Sequence, residues 1–213
     1  GRIFWIGTAR GLDRFDRENG TFAHYEHGSR NVVNTIHGDR FGFLWIGTNE
    51  GLYKFNKVTG AFSHYPVDKR IPGGLERNNV GLIYEDNRGL LWISTEAGLF
   101  RFNRATRTFK EYKSDEASAR SEGRQVMSIL EDRSGVLWVG MLGGGVAEYD
   151  RTKDKFTFYV NDPKDPHSLS NNVVTRIYED SSGTLWIGTW WGGLNKVDRA
   201  RKAFTHYTQE SAD

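Results

Sequence analysis

The chain has 213 residues, enough to bury a substantial core in one or two domains. Its 29 basic and 27 acidic side chains leave a formal net charge of +2. With no long run of one sign, that balance gives no electrostatic footprint for nucleic acid or an anionic membrane. Cysteine is absent, which excludes disulfides and thiolate metal sites without fixing a compartment. No apolar run approaches the ~20 residues that a membrane-spanning helix needs.

The finer composition points to strands and tight turns: 25 Gly, 7 Trp, 9 Tyr and 13 Phe against 4 Pro. The chain opens on GRIFWIGT, without an initiator Met or a signal peptide, and reads as a processed protein or a piece of something longer. The phrase around that first Trp then recurs as FLWIGT, LLWIST, VLWVGM and TLWIGT. Its tryptophans are Trp5, Trp45, Trp92, Trp138 and Trp186, at steps of 40, 47, 46 and 48 residues. In register behind each follow a Gly-apolar pair, an Asp or Asn, a Phe six positions later and a closing Tyr. The last unit shows them as Gly193-Leu194, Asp198, Phe204 and Tyr207. Units of 40–50 residues in tandem, each with room for four short strands, are the mark of a β-propeller. The expectation is therefore an all-β β-propeller of four-stranded antiparallel blades. It has five units, approximately 1–28, 29–70, 71–117, 118–165 and 166–213.

Taken in chain order, unit 1 lacks its inner strand A, since only four residues precede Trp5. Units 2 to 5 have strands A to D, which makes nineteen strands in all. In unit 5 these are predicted at 173–179, 184–189, 193–198 and 203–208. The A–B link is Asp-x-x-Gly in each complete unit, at Asp39/Gly42, Asp86/Gly89, Asp132/Gly135 and Asp180/Gly183. Asp accepts backbone N–H bonds where a turn begins, and Gly takes the positive φ that ends it. After Tyr207 only TQESAD remains, too polar to supply the missing strand. Either further blades or another chain is expected to cover the open edges.

Antiparallel strands put the A–B and C–D links on one face and the B–C and D–A links on the other. The first two keep constant length; the variation falls in the second two, where binding residues are placed on a rigid scaffold. Candidates for ligand contact are therefore Asn49 and Glu50 in unit 2 and Glu96 in unit 3, with Lys69 and Arg70 as weaker members. Unit 5 adds Arg176, mid-strand A, where other units carry Thr35, Leu82 and Ser128, and Trp190 and Trp191 in the B–C loop. Trp186 aligns with four other tryptophans and is expected in the core. Trp191 has no aromatic counterpart in units 1 to 3, and a flat indole can stack on the apolar face of a sugar ring. The neighbouring Gly192-Gly193 lets backbone approach closely.

Catalytic and metal motifs are not found. The acid pairs Glu85-Asp86, Glu131-Asp132 and Glu179-Asp180 recur in register, and adjacent strand residues face opposite sides, so they read as structure. His24, His64 and His206 each precede a strand-D Tyr in different blades, too far apart to share an ion, and His27, His37 and His167 are isolated. No catalytic residue, metal or cofactor is assigned. A lyase or hydrolase site would need convergent His, Tyr, Arg or carboxylate groups from several blades.

The stretch 159–207, YVNDPKDPHSLSNNVVTRIYEDSSGTLWIGTWWGGLNKVDRARKAFTHY, resembles the propeller repeats in the periplasmic sensor regions of bacterial hybrid two-component regulators. The shared pattern is an Asp-Pro-rich loop, Ser-Leu-Ser-Asn-Asn-x-Val, Glu-Asp-x-x-Gly-x-Leu-Trp-Ile-Gly-Thr, Gly-Gly-Leu and a closing Phe-x-x-Tyr. Met141 and Ser94 depart from it. The resemblance implies a non-catalytic, periplasmic ligand sensor that binds a carbohydrate or another small nutrient. It also implies an aromatic packed between blades at Trp190. A protein-interaction scaffold is the alternative.

Overall fold

The computed structural model describes residues 2–26, 32–65, 79–112 and 125–208. Lys69, Arg70 and His27 lie outside these. The described residues contain nineteen strands and no helix, in five antiparallel sheets whose strand order follows the chain. Sheet 1 has three strands, β1 (Ile3–Thr8), β2 (Gly11–Asp16) and β3 (Thr21–Tyr25). Sheet 2 has β4 (Val33–Gly38), β5 (Leu44–Thr48), β6 (Gly51–Phe55) and β7 (Phe62–Tyr65). Sheet 3 has β8 (Val80–Glu85), β9 (Leu91–Thr95), β10 (Gly98–Asn103) and β11 (Thr108–Tyr112). Sheet 4 has β12 (Val126–Glu131), β13 (Leu137–Met141), β14 (Val146–Asp150) and β15 (Lys155–Tyr159). Sheet 5 has β16 (Val174–Glu179), β17 (Leu185–Thr189), β18 (Gly193–Asp198) and β19 (Ala203–Tyr207). The chain falls into two compact units, Gly1–Glu111 and Tyr112–Asp213.

The turn between the first two strands of each complete sheet is built around its Asp. In sheet 2, one Asp39 oxygen accepts the backbone N–H groups of Phe41 and Phe43, and the other accepts the Trp45 indole N–H at 2.8 Å. Asp86, Asp132 and Asp180 do the same for Trp92, Trp138 and Trp186 at 3.0, 2.8 and 2.8 Å. Gly42, Gly89, Gly135 and Gly183 close these turns with φ of 80–87°. One carboxylate thus fixes both the turn and the rotamer of the tryptophan six residues on. The preceding glutamates are tied as well: Glu85 to Arg104 at 2.9 Å, Glu131 to Arg151 at 2.8 Å and Glu179 to Arg199 at 2.9 Å. The acid pairs are therefore structural throughout.

Sheets stack in the same manner inside each unit. In the first unit, Leu12 joins Val33, Leu44, Ile46, Tyr53 and Phe55 between sheets 1 and 2. Trp45 and Leu52 join Val80, Leu91, Ile93, Phe100 and Phe102 between sheets 2 and 3. In the second unit, Trp138 and Val146 meet Val174, Leu185, Ile187, Val197 and Phe204. Each leading sheet presents a back face built on its Trp, and each following sheet presents a front face of aliphatic and Phe side chains. Gly7, Gly47 and Gly140, each after a Trp-Ile or Trp-Val, lie under the first Val of the next sheet. A Cβ at Gly47 would come within 2.5 Å of the Val80 side chain, and one at Gly140 within 2.4 Å of Val174.

The expectation for Trp186 needs correction. Trp45, Trp92 and Trp138 are buried, but Trp186 is only half-buried, resting on Tyr207 with ring centroids 5.7 Å apart. Its back face belongs to the last sheet, and no described sheet follows to cover it.

Candidate functional site

The B–C loop of sheet 5, residues 190–192, is carried on a braced platform. Asn195, fully buried in β18, accepts the Ser170 backbone N–H at 3.0 Å and donates to Ser170 Oγ at 2.8 Å and to the Ile187 carbonyl at 3.2 Å. Those bonds hold the loop that runs from β15 to β16 against the sheet, with Leu169 sealed in the core beneath it. Further along, Asn161 donates to the Leu169 carbonyl at 2.7 Å, and the Trp190 backbone N–H donates to the Val173 carbonyl at 2.8 Å. A Cβ at Gly192 would stand 2.7 Å from Ser170 Oγ and 2.8 Å from the Asn171 Cβ. Only glycine admits this close contact between the two loops.

On that platform stand the two tryptophans, their rings stacked at 6.4 Å and 20°. Trp190 is 52% exposed and Trp191 90%. Packing between blades, the expectation for Trp190, is not what the structure shows: its ring lies on Trp191 and faces solvent. Trp191 has φ +66°, in the left-handed region that L side chains avoid. The aligned position in sheet 4 is Gly143, at φ +83°. An indole thus occupies a backbone conformation for which the sister loop uses glycine, at a cost of about 1–2 kcal/mol. Arg176 is exposed on β16, paired opposite Gly188 just past a β-bulge, and so belongs to the same sheet as the tryptophan pair.

The remaining candidates lie in the first unit, Asn49 and Glu50 in one loop and Glu96 in another. Asn49 is committed to its neighbours: its side-chain oxygen accepts the Val32 N–H at 3.0 Å. Glu96 accepts from Asn79 at 3.1 Å, and Asn34 in turn donates to Asn79 at 2.6 Å. Glu50 is exposed, and its carbonyl faces His64 Nε2 at 3.3 Å. Asn49 and Glu96 thus brace loops. The residues that sequence reasoning missed are Asn195, Ser170 and Asn161. A signal was available at Asn195, since the aligned positions are Asp13, Tyr53, Phe100 and Ala147.

A second polar cluster lies at the opposite end of the second unit, around a hollow of about 200 Å³ lined by Asp132, Trp138, Glu148, Tyr159, Arg199 and Lys202, among others. In the other sheets the residue opposite the Trp is a cation: Arg14, Lys54, Arg101 or Lys196. Sheet 4 has Glu148 there. It accepts the Tyr159 hydroxyl at 2.8 Å and attracts Lys202 to 3.7 Å. Burial and that carboxylate push the Tyr159 phenol well above its ordinary value, so it stays a donor. The cluster is a charge reversal with its compensation built around it. The histidines likewise serve their own sheets: His24 meets Asp13, His64 stacks on Tyr53, and His206 reaches the Ser168 carbonyl at 2.7 Å. No three His, Asp or Glu side chains are grouped for a metal ion among the described residues.

Stacked four-stranded sheets with Trp-centred back faces define a propeller-repeat protein of the blade type. Four stretches, residues 27–50, 74–97, 121–143 and 168–191, match the two component regulator propeller family, and the chain carries that family's repeats. Comparison with curated proteins finds no match. Among solved structures, the extracellular domain of a protein assigned to a one-component system of B. thetaiotaomicron superposes with a TM-score of 0.73 at 20% identity. The match covers 98% of this chain and 26% of that one. PorZ, a surface component of the type-IX secretion system of Porphyromonas gingivalis, gives 0.72 at 16%, covering 99% and 33%. Virginiamycin B lyase from Staphylococcus aureus gives 0.67 at 15%, covering 96% and 66%. The chain thus spans about a quarter to a third of the first two. The extracellular domain of a one-component system, a secretion component and an enzyme share the fold, so the fold by itself does not choose among them.

Proposed function

We propose that this chain is the ligand-recognising, non-catalytic propeller portion of an extracytoplasmic sensor, and that a sugar ring or similar small nutrient stacks on Trp191 and Trp190. The observation that carries this reading is the exposed indole pair, with Trp191 in a left-handed conformation where the sister loop has glycine. Strain of this kind persists only where surrounding structure holds it, and it gathers at binding sites. A preformed aromatic platform loses little side-chain freedom on binding, because two rings are already stacked on a braced loop. Arg176 on the same sheet is the polar contact that would orient the ligand. The periplasmic location and the sensing role rest on the family repeats and on likeness to extracellular sensor domains. In a full-length receptor, a bound ligand would act by biasing two pre-existing arrangements.

The test is intrinsic tryptophan fluorescence and calorimetry against a panel of neutral and acidic oligosaccharides. Saturable binding that Trp191→Ala weakens at least ~10-fold, a loss of about 1.4 kcal/mol, is expected. Binding that is indifferent to Trp191→Ala and Trp190→Ala would move the site elsewhere. Silence across the whole panel would remove the carbohydrate reading.

A further inference from the structure

In sheet 2, a positive charge from the same sheet stands beside the tryptophan. Lys54 is paired with Trp45, and its ammonium lies 3.6 Å from the Phe43 ring centroid and 5.6 Å from that of Trp45. In sheet 3 the Arg101 guanidinium holds the same place, 6.0 Å from the Trp92 ring. Aromatic faces attract cations, and in both sheets the repeat supplies its own. Sheet 4 keeps the aromatic surroundings and loses the cation. Glu148 stands opposite Trp138, and Val136 takes the place of Phe43, four residues after the turn Asp. Both changes remove bulk, since Glu is shorter than Lys or Arg and Val is smaller than Phe.

Val136 and Glu148 both line the hollow of about 200 Å³, whose aromatic walls are Trp138, Tyr159 and Phe204. The rings of Trp138 and Tyr159 are 6.2 Å apart, and those of Tyr159 and Phe204 5.8 Å. The space lies between sheets 4 and 5 of the second unit, with walls from both. Its basic side chains leave Glu148 incompletely matched. Arg199 is engaged by Glu179 at 2.9 Å and Asp132 at 3.3 Å. Among the described residues, both partners of Glu148, the Tyr159 hydroxyl and the Lys202 ammonium, lie on Oε2, which leaves Oε1 for a further donor. Lys202 is loosely held: its side chain is 58% exposed, 3.7 Å from that oxygen and 6.0 Å from the Tyr159 ring centroid. An exposed ion pair of this kind gives way at little cost.

We propose that this hollow binds the ammonium head of a small organic amine, with Glu148 as counter-ion and the Trp138 and Tyr159 rings as walls. A ligand there supplies the positive charge that sheets 2 and 3 provide from their own sequence. Pockets for drug-sized ligands run to roughly 300–1,000 Å³, so this smaller space suits one alkylammonium head and not an oligosaccharide. The site is independent of the tryptophan pair at the opposite end of the unit. Lys202 is its internal competitor, displaced to solvent when the ligand enters. A free amine and the lysine side chain of a partner protein share this chemistry.

The experiment is a calorimetric titration of the chain with n-butylammonium chloride at fixed ionic strength, with n-butanol as the uncharged control. Saturable binding on the order of 1 mM is expected for so small a ligand, and none for butanol. Glu148→Gln keeps the shape, removes the charge and should weaken binding at least ~10-fold. Lys202→Gln removes the competitor and should tighten it by about 2- to 5-fold, the worth of an exposed ion pair. Circular dichroism would check the fold of each variant. If Glu148→Gln folds poorly, Glu148→Lys, which restores the residue type of sheet 2, should abolish binding in its place. A lysine amide with its α-amino group acetylated separates the two sources. Binding equal to that of butylammonium points to a partner protein's lysine, and binding of butylammonium alone to a free amine. No saturable binding by either the unmodified chain or Lys202→Gln overturns the proposal. So does binding that Glu148→Gln leaves unchanged, or that butanol shares.

Discussion

At the scale of single residues, Trp191 and the turn aspartates show opposite uses of one side chain. A packed tryptophan typically costs about 3–5 kcal/mol to remove. Trp191 touches little but Trp190 and holds an unfavourable φ, so Trp191→Gly should leave the melting midpoint unchanged or raise it by up to ~1 kcal/mol equivalent. Differential scanning fluorimetry beside the binding assay would show stability and recognition moving apart. The turn carboxylates are held low. Hydrogen bonds from Ser182 and the Trp186 indole depress Asp180 well below its usual range, and the Arg2 guanidinium, opposed by burial, brings Asp16 to about 2. For Asp132, burial acts upward but is outweighed by Ser134, Trp138, Val136 and the Arg199 charge. Since folded values lie below the unfolded value near ~3.9, their stabilisation is complete above that pH and is lost as pH falls through the folded values. Melting midpoints should be level from about pH 7 to 5 and fall steeply below about pH 4. Asp180→Asn should flatten the fall in proportion to its share.

At the scale of elements, the unit of design is a strand pair plus the next sheet's first Val. Gly47→Ala and Gly140→Ala each force a methyl into a stiff, buried Val side chain, and should cost about 1–3 kcal/mol by chemical denaturation. Gly188 holds the same place in the repeat, yet a methyl there would stand 3.5 Å from Thr175 Oγ1 and 3.9 Å from the Arg176 carbonyl, its nearest neighbours. Gly188→Ala should cost far less. Equal costs at all three positions would show that the glycines matter for strand conformation and not for sheet stacking. The Asp-x-x-Gly turns, the unit 5 strand limits to within one residue and the six-position spacing from Asp or Asn to Phe were all legible in the sequence, because each rests on contacts within one repeat. The indole-to-Asp bond was not, although its spacing of six is constant, because only the folded hairpin brings the Trp back over its turn.

At the scale of the whole molecule, stability should fall off toward exposed faces, since each sheet contacts only its neighbours. Native-state hydrogen exchange should find weaker protection in β1–β3 than in β5–β6 of the first unit. In the second, β18–β19 should exchange faster than β13–β14. Uniform protection within each unit would mean that sheets open together and not from their ends.

The sequence by itself determined the repeat, the nineteen strands found among the described residues and the resemblance to the regulator-propeller repeats, because period, turn chemistry and alternation are local and recur from unit to unit. It also singled out Trp190 and Trp191 as departures from the repeat. Only the tertiary structure decided what those departures do. It turned Trp190 from an expected packing residue into half of an exposed stack, and it committed Asn49 and Glu96 to bracing loops. It also left Trp186 half-covered while Trp45 and Trp138 are sealed. The physical reason is common to all of these. Burial and partnership belong to the neighbouring sheet and loop, and identical residues in identical repeats acquire different fates when the neighbour changes.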